Sequence, residues 1–511
     1  MWHWRSSRTP VVGAAILVFG LCSLLPSMYV LVTALDDVDG LSALLLDDRQ
    51  RRLLLTTAAL GLGSTTVAAA AGVPLGAILA RTALPTPAAI RAVLTAPVLL
   101  PPYVAALAWT YLAGHGGWMS GLPGAAIVLG LMLYPIPMLA TEVGFRRVDG
   151  RLEEAGLLVA RRRQVLRHIT LPLVAPPIVA ASLVVFVLAI SDFAVPGLLG
   201  VRVYTTEIFT AFAALYDFPR AMVLALPLLL LCMGIGSLAS LLMHATPTVG
   251  RRPAGAASSL LGVPTVAAAA VVLVVAVAAL AVPVAILVNE ARGVRSWSMV
   301  VDGSAAAMWN SLLLAGAGAT LVSGVAVVLG FAGARISPRA AGMLDTLLVT
   351  VFAIPSTIVG VGLIALWNRP GPIGAIYGTE SMLVLGYVAR YLPVAALVMA
   401  AAMRHVPVSH EEAAAVSGAG WLRSTWHVVL PQVRLAMAVT WVLTFILAFG
   451  ELGVSVLVAP PGESTLPIRV YTLIANAPPA QVASLALMQA AVILVPVTLF
   501  GVLGSSRWSQ P

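Results

Sequence analysis

Lysine is missing from this 511-residue chain, whose 29 Lys and Arg positions are all arginine. A phosphate-cradling nucleotide loop needs its lysine, and so does Schiff-base catalysis, so the chain neither hydrolyses ATP by that route nor holds pyridoxal phosphate. Cysteine is almost as scarce. Cys22 and Cys232 both lie inside apolar runs, which argues against a disulfide framework or a thiolate metal site. Charge is thin as well: 10% of residues are charged, where a soluble globular protein is nearer a quarter. That rules out large extramembrane domains. The histidines (His3, His115, His168, His244, His405, His410 and His427) fall in loops or at the ends of apolar runs, and HEEAA at His410 lacks the second histidine of a zinc-protease helix. No metal site and no catalytic set is expected.

Apolar sequence dominates instead, at 60% of residues. A spanning helix takes about 20 such residues, so the chain has enough for on the order of a dozen crossings. Runs closed by Arg, Asp, Pro or Gly predict twelve, near 10–33, 55–80, 89–113, 122–144, 174–199, 220–243, 264–288, 309–334, 343–367, 381–403, 434–459 and 482–504. The first follows Arg5 and Arg8 but is of full spanning length without a clear small-residue cleavage site, so it reads as a retained helix. With both termini in the cytoplasm, 19 of the 29 arginines fall on the inner side, and Asp36, Asp37, Asp39, Asp47 and Asp48 gather in the first outer loop. The formal charge of +9 is then topological, and no nucleic-acid partner is needed to explain it.

The chain repeats itself. LGLGSTTVAAAAGVPLGAILAR, ending at Arg81, matches LAGAGATLVSGVAVVLGFAGAR, ending at Arg335, and Pro101 and Pro355 share the same offset of 254. Further on, YPIP at Pro135 pairs with YLP at Pro393, and HITLP at Pro172 with VVLP at Pro431. Each half holds six predicted spans in the same orientation, a parallel repeat. The Gly, Pro, Ala and Ser-rich stretch 244–262 between the halves reads as a short cytoplasmic linker.

The longest predicted inner loop of each half lies between its fourth and fifth spans. It reads EEAGLLVARRRQVLRHITLP over 153–172 and EEAAAVSGAGWLRSTWHVVLP over 411–431. In the second copy Glu412, Ala413 and Ala414 open a short helix with acid at its positive dipole end, Gly418 lets the chain turn, and Leu430-Pro431 starts the next helix. This pattern resembles the EAA loop of the permease subunits of type I ABC importers. Glu412, Gly418 and Pro431 stand at the family spacing. The first copy departs from it: Ala160 replaces the glycine, Gly156 the second alanine, and the spacer is one residue shorter. Phrases such as SDFAVPGLLG and GELGVSVLVAPPGESTLPIRVYTL are most similar to ferric-iron permeases, with thiamine, polyamine and phosphonate permeases as close relatives.

The resemblance implies an all-α polytopic membrane protein whose twelve transmembrane helices form two parallel six-helix repeats of the type I importer permease fold. The first permease domain is 1–243, the linker 244–262 and the second domain 263–511. By the same resemblance, Glu153, Glu154, Ala155, Ala160, Leu171 and Pro172, with Glu411, Glu412, Ala413, Ala414, Gly418, Leu430 and Pro431, couple the membrane helices to an ATPase. That ATPase must be a separate chain, which fits the missing lysine, and is expected in two copies, one beneath each loop. An external substrate-binding protein and the bilayer of a bacterial inner membrane complete the partners, with no cofactor.

Ionisable residues within spans are functional candidates. Asp192 and Glu451 each lie 20 residues beyond the proline that opens their span, and so are equivalent under the repeat. At 1.5 Å per residue this is about 30 Å, placing them near the outer end, either as gate or pathway residues or as plain interfacial carboxylates. Arg390 corresponds to Met132 in the first half and is expected to pair with Glu451 or Asp345. Glu142 reads as an interfacial residue at the inner end of the fourth span. A twelve-span secondary transporter is the rival class, but its usual basic signature follows the second span, where 81–88 carries only Arg81.

Overall fold

The computed structural model describes residues 2–37, 47–82, 84–114, 116–244, 264–294, 297–462 and 464–505, and among them every regular element is helical. Beyond His244, the expected linker lies outside these residues. Among the described residues, eight helices are long and apolar enough to cross a membrane: Pro10–Asp36, Asp48–Arg81, Arg162–Ser191, Phe218–Met243, Thr265–Ala291, Ala305–Ala334, Ser381–Arg404 and Trp421–Phe449. Three bent helix pairs raise the number to eleven if each counts as one crossing. The twelfth expected span falls on the helix Pro479–Ser505, whose apolar stretch is Pro479–Val495.

The bent pairs revise three of the predicted spans. The 89–113 run is two helices, Pro87–Leu99 and Pro102–Ala113, turned by 86°. The 343–367 run is Pro338–Ala353 and Ser356–Trp367, turned by 91°. Both breaks fall on the prolines that mark the repeat. Leu100 and Ile354, each just before a proline, are extended, because the proline ring excludes the helical conformation there. The 122–144 run bends by 43° between Gly121–Leu133 and Pro135–Arg147, whereas its counterpart Ser381–Arg404 absorbs Pro393 without a break.

The fifth and eleventh spans are also displaced from their predicted limits of 174–199 and 434–459. Their helices begin at Arg162 and Trp421, run through a π-turn at Leu166–Thr170 and Thr425–Val429, and stop at Ser191 and Phe449. Each is followed by a short helix, Ala194–Leu198 or Ser455–Val458.

The chain forms two compact units that interleave its sequence halves. One comprises Met1–Leu44, Ile208–Met233 and Gly303–Arg469. Here Ala305–Ala334 packs against Ser381–Arg404 and Leu430–Phe449, and the N-terminal helix Leu25–Asp36 lies along Ser356–Trp367. The other comprises Leu45–Glu207, Gly234–Asp302 and Val470–Pro511. Asp48–Arg81 is its centre, packed on Gly121–Leu133, Pro135–Arg147 and Leu171–Ser191, while Val282–Ala291 lies against Pro479–Ser505. A glycine sets the helix spacing in each unit. A Cβ on Gly76 would stand 2.2 Å from the Met138 carbonyl oxygen, and one on Gly330, 254 residues later, 2.6 Å from the Met399 Cβ. Without hydrophobic drive between helices in lipid, such close backbone approach supplies the packing.

Candidate functional site

Each predicted loop is built as a short helix, an elbow and a second helix continuous with the following span. In the first copy these are Gly150–Val159 and the helix from Arg162; in the second, Val408–Val416 and the helix from Trp421. The first glutamate of each pair is buried and the second exposed. Glu153 forms an ion pair with Arg81 at 2.9 Å, at 0% and 5% side-chain exposure, and accepts a hydrogen bond from Thr170 Oγ1 at 2.8 Å. Arg81 also donates to the Phe145 carbonyl. Glu411 repeats the arrangement with Arg335, at 2.6 Å and 7% exposure on both sides, and Arg335 donates to the carbonyls of Met403 and Val406. Thus each loop is latched to the end of its own second span by a buried, hydrogen-bonded ion pair. The two arginines were visible in the sequence as the shared last residue of the duplicated segments.

The elbows differ. In the second copy Gly418 has φ of +80°, its N–H bonds the Ala415 carbonyl, and the Ala419 N–H bonds the Ala414 carbonyl. This is a Schellman cap, which an L side chain at Gly418 would strain. In the first copy Ala160 is extended, at φ −141° and ψ 157°, and only Ala160 and Arg161 separate the helices. Gly156 permits this tighter junction: a Cβ on it would stand 2.8 Å from Ile169 Cδ1 and 3.1 Å from Val165 Cγ2. Beyond the latch, Glu154, Ala155, Glu412 and Ala413 are exposed, Ala160 and Ala414 half-buried, and the tips carry bare apolar groups, Leu158 at 87% and Val416 at 90% exposure. Leu171, Pro172 and Pro431 are exposed and Leu430 half-buried, about ten residues into the helix that continues from each loop.

Further ion pairs tie the third and fourth spans of each half together at the same end. Glu142, expected as an interfacial side chain, is buried and takes Arg91 at 2.6 Å and Arg146 at 2.8 Å. In the second half Arg404 forks onto Asp345 at 2.7 and 2.8 Å. Asp345 stands 254 residues after Arg91, so the pair persists with its polarity reversed on the third-span side.

The acids further along, Asp192 half-buried and Glu451 buried, have local work. Asp192 Oδ1 accepts from the Val195 N–H at 2.8 Å, and its own carbonyl accepts from Thr205 Oγ1 at 2.9 Å. Glu451 Oε1 accepts from the Val454 N–H at 2.9 Å, and Oε2 from the Tyr391 hydroxyl. Both therefore cap the short helix after their span, three residues on, satisfying backbone donors that have no partner within the helix. Arg390 pairs with neither expected acid. It donates to the Phe352 and Ile354 carbonyls, and its guanidinium sits 5.2 Å from the Phe352 ring centre. Those carbonyls are left open by the 91° break, and a cation at a helix C-terminus also meets the dipole favourably. Among the described residues no cluster of three or more His, Cys, Asp or Glu could hold a metal ion.

Comparison with known proteins places this architecture. Residues 324–507 match the family of binding-protein-dependent transport system inner membrane components. The chain is 24% identical over 391 residues to the ferric transport system permease protein of Actinobacillus pleuropneumoniae, a match covering 69% of this chain but only 56% of that relative. It is 23% identical over 496 residues to an Fe(3+)-transport system permease protein of Haemophilus influenzae, covering 95% and 96%. Over 201 residues it is 30% identical to a protein of Haloferax volcanii named as a probable molybdenum ABC transporter permease, covering 36% of this chain and 71% of the relative. The chain belongs to the family of binding-protein-dependent transport system inner membrane components, the permease subunits of type I ABC importers.

Proposed function

We propose that this chain forms the membrane pathway of an importer that takes ferric iron from an external binding protein and delivers it to the cytoplasm, driven by a separate ATPase. The observation that carries this reading is the doubled loop: two equivalent helical knobs, each latched by a buried Arg–Glu pair and each presenting a glutamate and a bare apolar tip. A knob of this kind needs a socket, and two of them need two. We assign the sockets to two copies of an ATPase on the cytoplasmic side, where both termini also lie. Closing of the ATPase dimer draws the loops together, and the latches pass that movement to the second span of each half as well as to the fifth, which continues directly from the loop. Twelve crossings, in two parallel sets of six, are the arrangement this reading uses.

Asp192 and Glu451 serve as gate elements in this account. Each carboxylate accepts the backbone N–H three residues on, across the turn between a spanning helix and a short one, so a change at the carboxylate loosens that turn. Arg390 braces the bent ninth span through the Phe352 and Ile354 carbonyls. Iron is supported by the ferric permeases among the relatives, and the molybdenum relative favours an oxyanion as the second reading. Uptake of radiolabelled ferric iron by cells with and without the gene decides between them. Iron uptake lost on deletion and restored by the intact chain is the expected result; unchanged iron uptake with loss of molybdate uptake would remove iron and leave the permease reading standing.

A further inference from the structure

The two loops are alike on one face and unlike on another. Counting from the buried glutamates, Glu154 and Leu158 of the first copy correspond to Glu412 and Val416 of the second, and all four are exposed. On the second helix, counting back from Leu171-Pro172 and Leu430-Pro431, Arg163 and Arg167 correspond to Leu422 and Trp426. These are exposed too, Leu422 at 63% and Trp426 at 69%. Identical ATPase subunits offer identical sockets, so a surface that docks in them should keep its chemistry in both copies. The Glu154–Leu158 face does so; the Arg163–Arg167 face does not.

The position of the unlike face gives it another neighbour. Arg162–Ser191 is one continuous helix whose uninterrupted apolar part starts at Leu171. Arg167 and Arg163 lie four and eight residues before that point, or about 6 and 12 Å along the axis. Each headgroup layer is about 5–7 Å thick, and an arginine stem reaches several ångströms further, so both guanidinium groups come within reach of phosphates at the edge of the hydrocarbon. Trp426, at the equivalent depth in the second copy, is the residue type that lines membrane–water interfaces. Arg161 and Arg151 add exposed positive charge beside the first face.

We propose that the Arg163–Arg167 face of the first loop binds anionic phospholipid headgroups, while the Leu422–Trp426 face of the second sits in the same interfacial layer without charge selection. The inference rests on the importer reading in one step, the identity of the two sockets. The permease thereby has one loop anchored electrostatically to the inner leaflet and one anchored by apolar and aromatic contact.

The test uses the purified full chain in lipid bilayers carrying spin-labelled phosphatidylglycerol or phosphatidylcholine. The wild type should hold phosphatidylglycerol in preference, and R163Q/R167Q should lower that preference by about fivefold or more, since each basic group at an anionic surface contributes an effect of that order. High salt should act in the same direction. L422R/W426R, which gives the second loop the basic face of the first, should raise the preference. A preference unchanged in R163Q/R167Q overturns the proposal, as does an unchanged preference accompanied by weaker ATPase binding, which would give the face to a protein socket. A wild-type chain that binds no ATPase yet keeps its arginine-dependent lipid preference supports the proposal and counts against the importer reading alone.

Discussion

At the scale of single residues, the chain spends its few buried charges on holding backbone and loops in place. Arg335 and Glu411 are enclosed together, so removing one partner leaves the other uncompensated away from water. Arg335→Met should therefore destabilise the protein by about 3–5 kcal/mol, whereas the double variant R335M/E411L should recover most of that loss. Thermal unfolding of both variants in detergent checks this, and equal destabilisation by the single and double changes would count against a latch. Glu412 next to it is exposed and should tolerate substitution without loss of stability. The glutamate pairs are plain in the sequence but the roles of their members are not, because the distinction lies in which carboxylate turns toward the end of the second span. Arg390 shows the same limit. Its partners are backbone carbonyls opened by a helix break, and no side-chain pattern displays a carbonyl.

At the scale of elements, prolines and glycines carried most of what could be read in advance. Pro101 and Pro355 mark the repeat, yet the hydropathy of their runs predicts one span each, because hydropathy counts apolar residues and is blind to direction. The ends of the fifth and eleventh spans were misplaced for a related reason. SDFAVPGLLG and ELGVSVLV stay apolar past Ser191 and Phe449, but Asp192 and Glu451 offer their carboxylates to N–H groups three residues on and end the helix. The turn at Gly418 is legible in the sequence as a glycine after a short helix, and the structure makes it there with a left-handed backbone. Gly418→Ala should cost about 1 kcal/mol at this elbow, while Ala160→Gly, at a position already extended, should do little beyond adding chain entropy. Chemical denaturation of the two variants separates these cases; equal losses would mean that the elbows are built alike.

At the scale of the whole molecule, several local features stand at corresponding positions of the two sequence halves. Latches, helix-spacing glycines, proline breaks and capping acids recur in both halves. The compact units nevertheless interleave those halves, taking Met1–Leu44 with Gly303–Arg469 and Val470–Pro511 with Leu45–Glu207. Repeats in sequence announce equivalent helices but not which helix packs on which, and that information resides in pairs far apart along the chain, such as Gly362 against the Pro26 carbonyl. The central claim is that two unequal loops on one chain seat two copies of a separate ATPase. Quantitative co-purification of the ATPase with this chain tests it most directly. Wild-type chain should carry two ATPase copies, Gly418→Pro, which can adopt neither the +80° φ nor the Ala415 hydrogen bond, or Glu412→Lys should reduce this to one while the protein still inserts, and a combined Glu154→Lys/Glu412→Lys variant should carry none. Two copies retained by the combined variant, or none bound by the wild type, would contradict the account.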